Sequence, residues 1–193
     1  MKKEEATYKT TRSLIEIARK HFTKHGYHTV SLETIAEESN VTRGAVYHHF
    51  KSKKGLFIAV LESVQKDVAA QIKREASKQD DPWQQLIWGC LGFVKGANAK
   101  ENRRILLVDA PAVLGWDIWR KSDRENSMST LKEHIGELEA QGYLQDGVDA
   151  KLMTFSISGA LNELALVYSE NDKWGENDPF LRTISRLVSG FER

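Results

Sequence analysis

The 193-residue chain predicts an all-α fold, with a three-helix helix-turn-helix unit at the N-terminus and a larger helical bundle behind it. Three observations predict it. Apolar residues recur with a period near 3.6 along most of the chain, and no segment alternates with period two for long enough to form a convincing strand. Charge divides unevenly: residues 1–57 carry 11 Lys/Arg against 6 Asp/Glu, and the rest carry 17 against 21. Aromatic and imidazole groups divide too. Five of six histidines lie in the basic part, whereas all five tryptophans and all three prolines lie in the acidic part. A basic head suits a polyanion and an aromatic-rich body suits a different partner. The expected boundary falls between residues 52 and 53.

The first helix is expected over residues 6–25, with Leu14, Ile15, Ala18 and Phe22 on one face and Gly26 ending it. Ser31 is a candidate N-cap for a short second helix holding Leu32, Ile35 and Ala36. Thr34, three positions on, is neither Glu nor Gln, so no capping box forms. A turn at Ser39-Asn40-Val41 leads to Thr42, the N-cap of a third helix that runs to about His49. Ser52 then caps a long fourth helix whose stripe is Leu56, Phe57, Val60, Leu61, Val64, Val68 and Ile72. Pro82 suits the first turn of a fifth helix towards Lys95. A short helix over 101–109, a longer one ending near Gly142, and two apolar helices over 149–169 and 178–191 complete about nine.

The composition excludes several function classes. A hydrophobic content of 40% with 28% charged residues fits neither a disordered chain nor a membrane span. The first residues carry no apolar h-region, and Cys90 has no second cysteine to pair with, so a reducing cytoplasm is the expected setting. No phosphate-binding glycine loop, nucleophile–base set or metal spacing argues for an enzyme, and no cofactor is expected. His21 and His25 are four apart with His28 nearby, but zinc needs three or four ligands, so no metal is expected. Cys90 reads as a small core residue.

The informative segment runs from Thr29 to Phe57. A helix that enters the major groove is slim and polar on one side, and reads base edges from its N-terminal half. The third helix offers Thr42, Arg43 and Gly44 there, followed by Tyr47, His48 and His49. Arg43 can donate two hydrogen bonds to guanine O6 and N7, and Gly44 lets backbone come close to DNA. Val41, Val46 and Phe50 are expected to seat the helix on Phe22, Ile35 and Ala36. Lys53 and Lys54 open the fourth helix, where their charge opposes the helix dipole. A phosphate there explains what local stability does not.

Taken together, Gly26-Tyr27, Ser31 to Ala36, Gly44 to Phe50 and Ser52-Lys53 resemble the DNA-binding domain of the TetR family over about residues 10–60. Lys54 departs from the pattern, where the family often has an acid. The resemblance implies that Ser31, Thr42, Arg43, Gly44, Tyr47, His48, His49 and Lys53 face double-stranded operator DNA. It also implies a homodimer through the last two helices and an effector pocket in the body. Asp109 to Trp116 and Leu161-Asn162-Glu163 resemble the regulatory domain of a subgroup of that family.

Candidate effector residues are Trp88, Trp116, Trp119 and Tyr168, which are equally good as plain core, and Asn162 and Glu163 inside an apolar helix. The Asn162–Glu163 pair fits a polar anchor or an exposed dimer-interface pair. Asp109, before Pro111, fits either a functional role or the end of its helix. The expected function is a repressor released from a palindromic operator by a small molecule. The alternative is a helix-turn-helix protein with no such effector, either constitutive or regulated by a protein partner.

Overall fold

The computed structural model describes residues 2–168 and 179–193. The expected helix ends at 169 and 178, and Trp174, lie outside the described residues. Ten α-helices and one π-helical turn occur among the described residues: α1 Lys2–His25, α2 Leu32–Glu38, α3 Arg43–Phe50, α4 Lys53–Ala76, α5 Pro82–Asn98, the π-turn Arg104–Asp109, α6 Ala110–Leu114, α7 Trp116–Glu125, α8 Ser127–Ala140, α9 Ala150–Val167 and α10 Pro179–Ser189. Leu144 and Glu192 form a single isolated bridge. The chain divides into two compact units, Met1–Val64 with Lys100–Trp119, and Gln65–Ala99 with Arg120–Arg193.

In the first unit, Leu14, Ala18 and Phe22 of α1 are fully buried, as are Ile35, Val46, Leu56, Phe57 and Val60. The Phe22 ring meets Phe57 edge-on at 5.1 Å, and Tyr27 meets Phe57 at 4.9 Å. Burying a phenylalanine this fully stabilises by about 1.5–3 kcal/mol. The expected caps form: Ser31 Oγ accepts from Thr34 N, Thr42 Oγ1 from Ala45 N, and Ser52 Oγ from Gly55 N. Gly26 ends α1 at φ +78°, and a Cβ there would run into the Arg104 guanidinium. Asn40, at φ 53°, makes the tight turn between α2 and α3, a conformation asparagine tolerates well.

Residues 100–119 belong to this unit and are tied to α1 by named bonds. Arg19 Nη2 donates to Asn102 Oδ1 at 2.5 Å, and Thr23 Oγ1 to the Glu101 carbonyl at 3.0 Å. Asp109 Oδ2 accepts from Tyr27 N at 3.0 Å and lies 3.5 Å from Arg104 Nε. Asp109 therefore holds the end of α1 rather than merely ending a helix of its own. The expected short α-helix over 101–109 is instead a π-turn from Arg104, with Ala110 N bonded to Ile105 O. Pro111 has no N–H for the Leu107 carbonyl, so the α ladder cannot run through and the turn widens.

The second unit packs α5, α8, α9, α10 and the C-terminal half of α4. Val94, Ile135, Ile157, Ala165, Ile184 and Val188 are all fully buried. The expected long helix before Gly142 is two helices, because Asn126 leaves helical geometry at φ −126°, ψ −94°. Its side chain donates to Ser122 O at 2.8 Å, satisfying the end of α7.

Gly92 sits where α5 crosses α4. A Cβ there would lie 2.8 Å from Gln71 O and from Ile72 Cα. Gly89 and Gly96 share that face, with would-be Cβ contacts of 3.5 Å to Ile72 and 3.2 Å to the Val68 Cα. Three glycines at spacings of three and four thus let two backbones approach closely.

Candidate nucleic-acid interface

α2 and α3 carry the helix-turn-helix, and burial decides which residues can reach a ligand. Val46 is fully buried and Val41 and Phe50 half-buried, so α3 is seated as its apolar positions require. Thr42, Arg43, Gly44, Tyr47 and His48 remain exposed on the same short helix. Tyr47 keeps 60% of its surface accessible. The Gly44 Cβ position meets nothing closer than its neighbour Thr42 Oγ1, at 3.7 Å. His49 differs: it is half-buried, with Nδ1 3.3 Å from Thr11 Oγ1 of α1. Of the two histidines, His48 is the better placed to meet DNA.

Arg43 is not idle in the absence of DNA. Its Nη1 lies 2.9 Å from Glu33 Oε1, with both side chains largely exposed. Such a pair is worth about 0–1 kcal/mol, so Arg43 gives up Glu33 at little cost. The sequence contained this pair, but nothing in the spacing of residues 33 and 43 announced it, because the turn between α2 and α3 brings them together.

Lys53 and Lys54 open α4 as expected, but they differ. Lys53 Nζ lies 4.5 Å from the Tyr27 ring centroid and donates to the His28 carbonyl at 3.2 Å. Partial burial lowers its pKa from the ordinary lysine value. The ring and the carbonyl offset the unfavourable dipole, so the dipole argument for a phosphate bears more on exposed Lys54. Ser31 is half-buried and spends its hydroxyl on the α2 cap. His21 Nε2 lies 2.6 Å from Glu38 Oε2, and its ring centroid is 6.0 Å from that of His25.

Comparison with known proteins bears on the same residues. The model for bacterial regulatory proteins of the tetR family matches residues 14–60, the stretch that holds α2, α3 and the start of α4. A second model, the tetracyclin repressor-like C-terminal domain, matches residues 83–191, more than half of the chain. The chain belongs to the TetR family. It is 30% identical to the probable acrEF/envCD operon repressor of Escherichia coli, over 80% of this chain and 73% of that one. It is also 24% identical to the transposon Tn10 TetC protein of the same species, over 81% and 79%. The crystal structure of a TetR-family transcriptional regulator from Pectobacterium atrosepticum superposes with a TM-score of 0.73 at 29% identity, covering 96% of this chain and 93% of that one. This TetR-family protein is a DNA-binding transcriptional regulator, and no described helix is long and apolar enough to cross a membrane.

The second compact unit of the regulator holds a cavity of about 300 Å³. Ile72 and Ala76 of α4, Leu86, Cys90 and Phe93 of α5, Met128 and Leu131 of α8, and Leu161 of α9 make its apolar walls. Cys90 is buried there, which pushes its thiol up to about 12 and keeps it protonated. The polar lining includes Asp123, Ser127 and Ser158, all at least 95% buried. Arg120 Nη1 donates to Asp123 Oδ2 at 2.6 Å and to Ser158 Oγ at 3.0 Å. Burial raises the Asp123 pKa, against the opposing pull of Arg120 and a hydrogen bond from Asn162.

The six candidate effector residues do not gather there. Asn162 alone reaches the lining, through its hydrogen bond to Asp123. Trp119 and Trp116 belong to the first unit. Trp119 is buried with Nε1 donating to Leu106 O at 2.9 Å, and Trp116 is exposed, its ring centroid 4.9 Å away. Trp88 borders a surface depression with Ile87, Leu181 and Arg182. Tyr168 packs edge-on against Phe180 at 5.4 Å, and Glu163 is exposed. A sequence signal that went unread is the polar row at spacing four, Thr154, Ser158 and Asn162, along a mostly apolar α9.

Proposed function

We propose that this regulator is a cytoplasmic repressor that holds a palindromic operator as a homodimer and lets go when a small molecule fills the cavity of the second compact unit. The observation that carries the DNA half is the exposed set Thr42, Arg43, Gly44, Tyr47 and His48 on one seated helix. Residues 1–52, together with the two lysines that open α4, meet the operator, and the rest of residues 53–193 supplies the effector site and the dimer contact. Arg43 reads a base, while Tyr47, His48, Lys53 and Lys54 hold phosphates beside the starts of α2 and α3, at Ser31 and Thr42. His49 braces α3 from behind. A relative named as an operon repressor supports the sign of regulation.

Replacing Arg43 by Ala is expected to relax discrimination by ~1–3 kcal/mol at one base pair. Replacing Lys53 by Ala is expected to weaken all sequences alike and to flatten the salt dependence. Titrations on matched and mismatched operators check both. An unchanged base preference without Arg43 sinks the assignment.

The effector half rests on the cavity and on α4, which carries Lys53 in its first turn and Ile72, Lys73 and Ala76 of the lining near its end. Tilting one helix changes the spacing of two recognition helices, which must match successive major-groove faces. A coupling of ~1–3 kcal/mol lowers operator affinity roughly 5–150-fold. By linkage, operator must weaken effector binding by the same factor. Effector affinity measured with and without operator tests this, and equal affinities move the protein to the reading without a small-molecule switch.

A further inference from the structure

We infer that the cavity takes an uncharged apolar molecule ending in a hydroxyl group, with that hydroxyl at the floor formed by Asp123 and Ser127. This rests on the effector reading above and names the class of molecule. The walls alone fix the apolar part. Leu86, Cys90, Phe93, Met128 and Leu161 offer no charge, and about 300 Å³ holds a chain or ring system of some ten to fifteen carbons.

The floor fixes the polar end, because it excludes charge of either sign. Asp123 is the single acidic residue of the lining. A carboxylate ligand would face it at close range in a buried setting, which is strongly unfavourable. A cation fares little better. Asp123 is already paired with Arg120 at 2.6 Å, so the pair is neutral and an added ammonium would be a third, uncompensated charge. Lys73 and His134 also line the cavity away from Asp123 in sequence, and a carboxylate held by them is the outcome that the decanoate probe reads.

What remains is a neutral group that both donates and accepts. An ionised Asp123 only accepts, and a protonated one both donates and accepts, so a hydroxyl suits either state. Ser127 Oγ gives its proton to Gln65 Oε1, which leaves its lone pairs as acceptors. Gln65 is fully buried behind Ser127 and is not part of the lining, whereas Ser158 is, and its Oγ accepts from Arg120 Nη1 and so has its own proton to give. A hydroxyl meets both demands. It donates to Asp123 or Ser127, and its oxygen accepts from Ser158. An ether accepts but cannot donate, an ammonium donates but cannot accept, and a carboxylate cannot donate.

The test uses four probes on one carbon skeleton: decanol, decylammonium, decanoate and methyl decyl ether. Each is titrated calorimetrically into the full-length protein without DNA at neutral pH, below its micellar concentration. Decanol is expected to bind at least tenfold more tightly than the other three. Ser127→Ala is expected to remove most of that preference while leaving operator binding intact, which also shows that the variant is folded. Leu161→Trp, which fills the cavity, is expected to abolish binding of all four. Equal affinity for alcohol and ether, preference for either ion, or no binding of decanol overturns the inference. The effector reading fails separately, if the probe that binds best leaves operator affinity unchanged.

Discussion

Leu187→Glu is expected to yield a monomer whose operator affinity falls at least about a thousandfold. The reason lies on the outer faces of α9 and α10. Leu152, Phe155, Leu166, Val167 and Leu187 are large apolar side chains with 37–80% of their surface accessible. Leu152, Phe155, Gly159, Glu163 and Leu166 follow one another at helical spacing, so the α9 members form a stripe rather than a scatter. A contiguous apolar stripe calls for a cover, and a second copy of the same stripe is self-complementary. Glu163 lies on it, which favours the dimer-interface reading of that residue over the effector-anchor one. A monomer presents one recognition helix, and its binding drops towards the non-specific level, ~10³-fold or more below a specific dimer. Sedimentation at micromolar concentration with operator titration measures both quantities. A wild-type monomer that still binds operator tightly would falsify the dimer model.

The same substitution at two helical glycines is expected to act with opposite signs. Gly92→Ala is expected to destabilise the protein by about 1–2 kcal/mol, and Gly136→Ala to stabilise it by ~0.5–1 kcal/mol. Alanine is favoured over glycine inside any helix by roughly that second amount, because the unfolded chain has less freedom to lose. At Gly136 nothing lies within 4 Å of the new Cβ, so the helix preference stands alone. At Gly92 the Cβ arrives 2.8 Å from the backbone of α4, at Gln71 O and Ile72 Cα, and backbone cannot swing aside like a side chain. Overpacking of this kind costs about 1–3 kcal/mol or more and outweighs the preference. Denaturant midpoints at constant slope read both changes. Gly92→Val is expected to be worse still. If both alanine variants were stabilised, the close crossing of α4 and α5 would be wrong.

The glycine crossing also shows where sequence reading stops. Helix positions came from the apolar period, and caps from Ser31, Thr42 and Ser52, because both signals are local. The exposed face of α3 was legible for the same reason: its buried Val46 leaves Arg43, Gly44, Tyr47 and His48 on the other side. Gly89, Gly92 and Gly96 matter only through α4, and Glu33 matters to Arg43 only through the turn at Asn40. The π-turn before Pro111 and the break at Asn126 are local, but each departs from the period instead of following it. The cavity was the least legible part. Asp123 lies in a run of charged and polar residues, Lys121 to Asn126, that reads as a solvated face, and only tertiary packing buries it. The tryptophans drew attention by their size, yet Trp119 is anchored by its indole N–H to Leu106 O in the first unit.

The bonds that tie residues 100–119 to α1 bear on how such a regulator can be rebuilt. Tyr27 N, Arg19 and Thr23 find acceptors at Asp109, Asn102 and Glu101, about eighty residues away along the chain. A hybrid made by joining residues 1–64 to the body of another regulator would strand those donors and uncover the packing beside Gly26. Chimaeras that transplant this operator reader therefore need two pieces of the parent gene, the N-terminal stretch and the segment through Trp119. The reading head is one body in space but two separate stretches of sequence, and a single junction cannot carry it across.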